Sequence, residues 1–299
     1  MTSGCPLILK AKVSHFCRLL THDCANRLLV KTFFADPEKY NLSDLSDQIL
    51  TMQTEYSWPR EAECLEKHGL KNAKRVLDIG TGNGHFLCRM AERYPDKQFV
   101  GIETSEPLIE RAFKTAREMN LLNIKFIHDE CPALSIKEKF NFVLARLTIY
   151  CAPNRDDVLA WAYEILKDKS RIGIIELDYD WIYTYPPNPI IEKVFCVHRH
   201  EFELHGADCS MGKKLPFKLQ EAGFKDILFD VKAWWSSFEL TNEQFFNLFS
   251  SYGAFSVQVA PDIFSNEDYN NLVDFLKKVN SSKTNTVVYP KVVVSGVKR

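Results

Sequence analysis

The run Val76-Leu77-Asp78-Ile79-Gly80-Thr81-Gly82-Asn83-Gly84 constrains this chain more than any other segment. An apolar strand ends in an acid, enters a turn with three alternating glycines and continues into a helical pattern. Such a turn brings backbone N–H groups up to a nucleotide-bearing ligand without side-chain obstruction. The acid at the strand tip favours a cationic or hydroxyl-bearing ligand over a bare phosphate. A second apolar strand, Phe99-Val100-Gly101-Ile102, ends in Glu103, where a carboxylate can hold a ribose diol. A dinucleotide site is the rival. It carries G-x-G-x-x-G, whereas here the glycines fall at 80, 82 and 84 behind Asp78, a charge that a pyrophosphate would not welcome.

This constellation resembles the class I S-adenosylmethionine-dependent methyltransferases, over roughly residues 76–223 and again in the last strand. The resemblance implies an α/β fold. Its seven-stranded Rossmann-like sheet would have the last strand antiparallel, with a helical N-terminal segment and lid inserts. It implies S-adenosyl-L-methionine as cofactor and S-adenosyl-L-homocysteine as product. Asp78, Gly80, Thr81, Gly82 and Gly84 would then wrap the methionine end, and Glu103 would accept from both ribose hydroxyls, a match that no neutral side chain offers. Thr104 would flank the adenine. Asp129, or its neighbours Glu130 and His128, would accept from the adenine amino group, and Arg146 lies where the family meets the cofactor after strand four.

Hydrophobic periodicity supplies the domain map. Residues 1–70 read as a helical cap, with stripes at Val13, Phe16, Leu19, Leu20 and Leu28 and at Leu45, Ile49 and Met52, and a new helix start at Trp58-Pro59. Residues 71–178 alternate apolar strands with amphipathic helices, the pattern of a parallel sheet buried on both faces. Ser105 is placed to cap the helix that follows Glu103. An aromatic, proline-rich insert with a lid helix follows at 179–211, a return to the core at 212–235, and a helical insert at 236–285. In that insert Thr241 with Gln244 and Ser265 with Asp268 read as capping boxes. The final core strand occupies 286–299.

The acceptor is less legible. The segment Ala145-Arg146-Leu147-Thr148 lacks the [DN]-P-P-[YF] run of adenine and glutamine amino-methyltransferases, and Cys151-Ala152-Pro153 reverses the order that cytosine C5 enzymes need. The run Gly206–Gly223 resembles small-molecule members. His198 and His205 recur on the apolar stripe of the lid helix with Glu201 between them, which makes them candidates for a general base. Methyl transfer often needs no base, since a sulfonium is already a good leaving group. Tyr56, Trp58, Trp181 and Tyr183 are candidates for a planar substrate pocket. No metal is expected.

Composition bounds the partners. A formal charge of −1, with no lysine and arginine cluster, leads to the expectation of a small-molecule metabolite acceptor, no nucleic acid and no membrane. Nine cysteines without a CxxC pair fit reduced thiols and a cytoplasmic location. The alternatives are a protein or RNA methyltransferase, or an inactive regulatory protein that binds the cofactor. Oligomeric state cannot be read from these patterns.

Overall fold

The computed structural model describes residues 43–133, 135–235, 242–281 and 285–299. The stripe at Val13–Leu28 and the capping residue Thr241 lie outside them. The first described element is α1 (Ser43–Lys67), followed by β1 (Arg75–Ile79), α2 (His85–Arg93), β2 (Gln98–Glu103), α3 (Glu106–Glu118) and β3 (Ile124–His128). Next come β4 (Phe140–Arg146), α4 (Arg155–Ile165), β5 (Leu166–Leu177), β6 (Tyr183–Tyr185), α5 (Pro189–Leu204) and α6 (Met211–Glu221). The chain closes with β7 (Lys225–Trp235), α7 (Asn242–Val259), α8 (Asn266–Ser281) and β8 (Thr286–Val297).

Five strands pair in parallel in the order β3-β2-β1-β4-β5, and β8 joins the edge of β5 antiparallel. The far edge of β8 pairs with β7, so the last strand lies between β5 and β7, antiparallel to both. The sheet has eight strands rather than the expected seven. The additional one is β6, which takes up the edge of β8 at residues 286–288, beyond the part that β5 covers. Successive strand residues serve opposite faces. Val76, Phe142 and Val293 pack with α2 residues Phe86 and Leu87 on one side, while Leu77, Val143 and Val292 pack with Leu215 of α6 on the other.

α1 departs from the expectation of a helix starting at Trp58. It runs unbroken through Pro59. Proline removes one N–H and crowds the carbonyl four residues back, a cost of about 3 kcal/mol in an isolated helix. Tertiary contacts overcome it: Glu61, Ala62 and Leu65 beyond the proline are fully buried, and the Gln53 carbonyl accepts from Ser57 Oγ at 2.9 Å and Arg146 Nη2 at 3.1 Å. At the start of α8 the expected capping box is present. Asp268 Oδ2 accepts the Ser265 N–H at 2.8 Å and Ser265 Oγ accepts the Asp268 N–H at 3.2 Å. Among the described residues no helix is long and apolar enough to cross a membrane.

Candidate functional site

The C-terminal ends of β1, β2, β4 and β5 converge on the glycine turn. β1 delivers Asp78, 2% exposed, and the chain turns through Gly80, Gly82 and Gly84, all with positive φ. The three glycines do different work. A Cβ at Gly80 would lie 2.5 Å from Thr148 Cγ2, and one at Gly84 would lie 2.5 Å from Ala112 Cβ, so both positions are closed by packing. At Gly82 a Cβ would meet only Leu50 Cδ1 among the described atoms, at an ordinary contact distance of 3.4 Å, so that position is not closed by packing.

Two carboxyl groups face this turn. Asp78 Oδ1 is buried with no partner among the described residues, and burial pushes its pKa up to about 7. The buried Thr81 hydroxyl beside it offsets part of that rise. Glu103 accepts the backbone N–H groups of Gly82 at 2.8 Å, Thr104 at 2.9 Å and Ser105 at 3.0 Å. Burial nonetheless raises its pKa. Ser105 therefore spends its N–H on Glu103, and its hydroxyl makes no cap on α3, contrary to expectation.

The remaining predicted cofactor residues are placed as follows. Thr104 is exposed, and its carbonyl meets His128 Nε2 at 3.0 Å. Asp129 donates its N–H to the Glu103 carbonyl, while its carboxylate accepts the Glu130 N–H at 2.8 Å and the Ser135 hydroxyl. The Ser135 hydrogen bond lowers the Asp129 pKa. Glu130 is exposed. Arg146 meets Glu61 through its Nε at 2.7 Å, and its guanidinium lies 4.7 Å from the Phe86 ring centroid.

α1 fastens onto the turn from the side of Leu50. Asn83 Nδ2 donates to Asp47 Oδ1 at 2.8 Å and to Thr51 Oγ1 at 2.9 Å, and Glu55 meets His85 at 2.6 Å and Arg89 at 2.9 Å. Arg111 of α3 completes the attachment through Asp44 and Asp47.

Sequence reasoning missed Glu176, near the end of β5. Its Oε1 accepts three consecutive N–H groups, from Thr148 at 2.9 Å, Ile149 at 2.7 Å and Tyr150 at 3.3 Å. Its Oε2 is buried and unpartnered among the described residues, and burial raises its pKa to about 8. No local motif marks this residue; an acid inside an otherwise apolar strand is the signal that could have found it.

From Tyr150 a cluster of rings extends through Tyr179, Phe195, Phe202, Phe249, Tyr252 and Tyr289. Within it the Tyr252 and Tyr289 hydroxyls lie 3.2 Å apart, and Gln53 Nε2 donates to Tyr252 at 3.0 Å. His198 sits inside this cluster. Its Nε2 meets the Tyr252 carbonyl at 3.1 Å, and burial lowers its pKa to about 4, so the ring is neutral. Phe195, Phe202, Tyr252 and Phe255 enclose it within the ring cluster. His205 falls at the end of α5, where Nδ1 meets the Glu201 carbonyl at 2.7 Å. Of the four expected pocket aromatics, Tyr56 and Trp181 share one core cluster, while Trp58 belongs to the other. Tyr56 is buried with the ring-cluster core, Trp58 packs on the opposite core, Trp181 is half-buried, and Tyr183 on β6 is 51% exposed.

A family model described as a methyltransferase domain matches residues 70–221. The chain belongs to the methyltransferase-domain family. The turn suits S-adenosylmethionine: Gly82 is not closed by packing, Asp78 is a buried acid, and Glu103 is a second acid one strand away. The tRNA (guanine-N(7)-)-methyltransferase of Synechococcus sp. (strain JA-3-3Ab) is 49% identical over 84 residues, 28% of this chain and 36% of that protein. The enzyme of the same name from Thermotoga maritima is 42% identical over 57 residues, 19% of this chain and 18% of that one. The matches thus span about a third or less of these curated relatives. They overturn the expectation of a small-molecule partner and no nucleic acid, because the relatives are named as tRNA enzymes.

Two solved structures share the fold of this methyltransferase. Phosphoethanolamine N-methyltransferase 2 of Haemonchus contortus, in complex with S-adenosyl-L-methionine, superposes with a TM-score of 0.54 at 17% identity, covering 89% of this chain and 60% of that one. The plantazolicin methyltransferase BpumL, in complex with S-adenosylhomocysteine, gives 0.54 at 16% identity, covering 98% and 100%.

Proposed function

We propose that this methyltransferase transfers a methyl group to a nitrogen of a planar heteroaromatic acceptor, and that a guanine base in RNA is the acceptor to test first. The observation that carries the reading is the continuity of one loop. Thr148 lies against Gly80 of the glycine turn, with its Oγ1 3.3 Å from the Gly80 carbonyl, and two residues later Tyr150 opens the ring cluster. The donor side and an aromatic acceptor side are therefore joined through three residues. The names of the curated relatives direct the choice of guanine.

In this reading the backbone at Gly82 approaches the cofactor, Asp78 supplies an acceptor oxygen for its ammonium group, and Glu103 accepts from the ribose hydroxyls. Thr104 and Asp129 border the adenine. Bound there, the sulfonium supplies an electrophilic methyl group and a neutral thioether leaving group. Aromatic faces favour a planar ring and a developing positive charge beside it. A ring nitrogen with a free lone pair gives up no proton before attack, so the neutral, enclosed His198 is not required as a base. An RNA base would enter such a site after leaving its stack.

The test is incubation with methyl-labelled S-adenosylmethionine and an unmodified tRNA transcript, followed by digestion to nucleosides and chromatography. Label in a methylguanosine supports the reading. Binding of S-adenosylhomocysteine with no label in any RNA nucleoside would sink the acceptor assignment and leave the cofactor site standing.

A further inference from the structure

Glu176 is fully buried, yet the cofactor motif does not call on it. Three successive backbone N–H groups converge on one of its oxygens. They belong to Thr148, Ile149 and Tyr150, directly after Leu147, which holds a left-handed φ of 53° without being glycine. A branched side chain in that region is strained and persists only where its surroundings enforce it. Leu147 is tethered from one side by its own N–H, donated to the Ile175 carbonyl at 2.8 Å. Glu176 gathers the next three residues. The chain therefore turns sharply after β4, and neighbouring residues of β5 hold the N–H groups of Leu147 through Tyr150.

The turn has a purpose legible in its contacts. Thr148 is the residue that closes the space behind Gly80: its Cγ2 and Oγ1 lie 2.5 and 2.8 Å from where a Cβ on Gly80 would stand. Tyr150 carries the loop into the ring cluster, and its carbonyl accepts the Asp208 N–H at 2.8 Å. A small displacement of this loop would move both the back wall of the glycine turn and the first ring of the acceptor side.

We propose that Glu176 is a positioning residue of the transfer site, holding the Leu147–Tyr150 loop against the glycine turn through one carboxyl oxygen. The inference rests on the reading that methyl transfer occurs at this turn. The group acts through backbone, so any residue with an acceptor oxygen at the same reach can substitute for it. A side chain one methylene shorter cannot reach all three donors. An orphaned trio of buried N–H groups would open the loop to water.

The test compares wild type with Glu176→Gln, Glu176→Asp and Glu176→Ala by hydrogen exchange on the Arg146–Pro153 peptide, titration with S-adenosylhomocysteine, and thermal melting. Glu176→Gln should keep protection of the three amides and S-adenosylhomocysteine affinity within about threefold of wild type. Glu176→Asp and Glu176→Ala should lose protection by at least tenfold and bind about tenfold more weakly. Protection elsewhere in the sheet should be unchanged. Should Glu176→Ala fail to fold, the contrast between Gln and Asp decides. Equal protection and affinity in those two variants would overturn the proposal, as would loss of melting temperature with loop protection and affinity intact. Failure of the wild type to bind S-adenosylhomocysteine at all would instead remove the underlying reading, a separate result.

Discussion

Lys291 of β8 and Glu61 of α1, 230 residues apart in sequence, meet inside the protein at 2.5 Å. Neither has more than 1% of its side chain exposed, and Arg146 meets the other oxygen of Glu61 at 2.7 Å. Burial alone would raise the Glu61 carboxyl, but the charges of Arg146 and Lys291 outweigh it and bring its pKa down to about 2. The network joins the helix that crosses the glycine turn to the strand that closes the sheet.

Removing one member should therefore cost more than removing a matched pair. Glu61→Gln alone leaves two buried cations, Lys291 and Arg146, without their carboxylate and should destabilise the protein by about 3–5 kcal/mol in urea unfolding. Lys291→Met with Glu61→Gln should cost clearly less than the sum of the single changes, and strict additivity would show that the two groups are not coupled. The folded-state pKa of Glu61 is depressed. Its stabilising contribution is complete above the ordinary value of 4.5 and should drain away as pH falls towards 2.

Glu103→Gln turns one of two accepting oxygens into a donor, either Oε1, which takes the Thr104 and Ser105 N–H groups, or Oε2, which takes that of Gly82, and it cannot serve two ribose hydroxyls as a carboxylate does. The expected loss is about 1.5–3 kcal/mol, or roughly 10- to 150-fold in S-adenosylhomocysteine affinity by calorimetry. Wild-type affinity in a folded variant would mean that the ribose lies elsewhere.

The pH dependence of S-adenosylmethionine binding should report on Asp78. Burial holds its pKa at about 7, and only the ionised form suits an ammonium group. Affinity should be flat above about pH 8 and fall below pH 7, by at most tenfold per pH unit, with the slope abolished in Asp78→Asn. The cofactor-free protein should show the opposite trend from this group. Its folded pKa is raised above the unfolded value of 3.8, so its contribution to stability declines as pH climbs from about 4 to 7.

Gly84→Ala and Gly82→Ala should separate packing from ligand access. Both impose a left-handed φ on a residue with a Cβ, at about 1–2 kcal/mol. Only Gly84→Ala also drives that Cβ to 2.5 Å from Ala112 Cβ and 2.9 Å from its Cα. Gly84→Ala should therefore melt at a lower temperature than Gly82→Ala, while Gly82→Ala should lose cofactor affinity in a protein that remains folded.

His198→Phe should retain methyl transfer within a few-fold of wild type, because it replaces a neutral, enclosed ring by another ring and gives up one hydrogen bond to the Tyr252 carbonyl. A loss of a hundredfold or more, with melting unchanged, would restore the base that the sequence pattern suggested.

What could be read from the sequence was local. The glycine turn, the acids ending β1 and β2 and the strand–helix alternation are written within a few residues of one another, and the structure places them on adjoining strands. Features set by distant partners escaped. Pro59 reads as a helix start because the contacts that carry α1 through it come from Arg146 and from burial against the sheet. Glu176 reads as one more strand residue because its partners lie 26 to 28 residues earlier. His198 follows the apolar stripe of α5, a periodicity that marks a buried face but cannot tell a core ring from a reactive one.

The placement of β8 bears on how such a chain is made. β7 finds its neighbour in the described sheet only in β8, and β5 pairs there along its outer edge, so on a ribosome both must wait with bare edges until residues 286–297 emerge. Lys291 arrives with that strand, and until then Glu61 and Arg146 lack their third partner. Such late, non-local pairing is slow and leaves strand edges open to other chains. The Glu61–Arg146–Lys291 network and the edge of β5 thus wait on β8, and a nascent chain halted before that strand would be a client for chaperones.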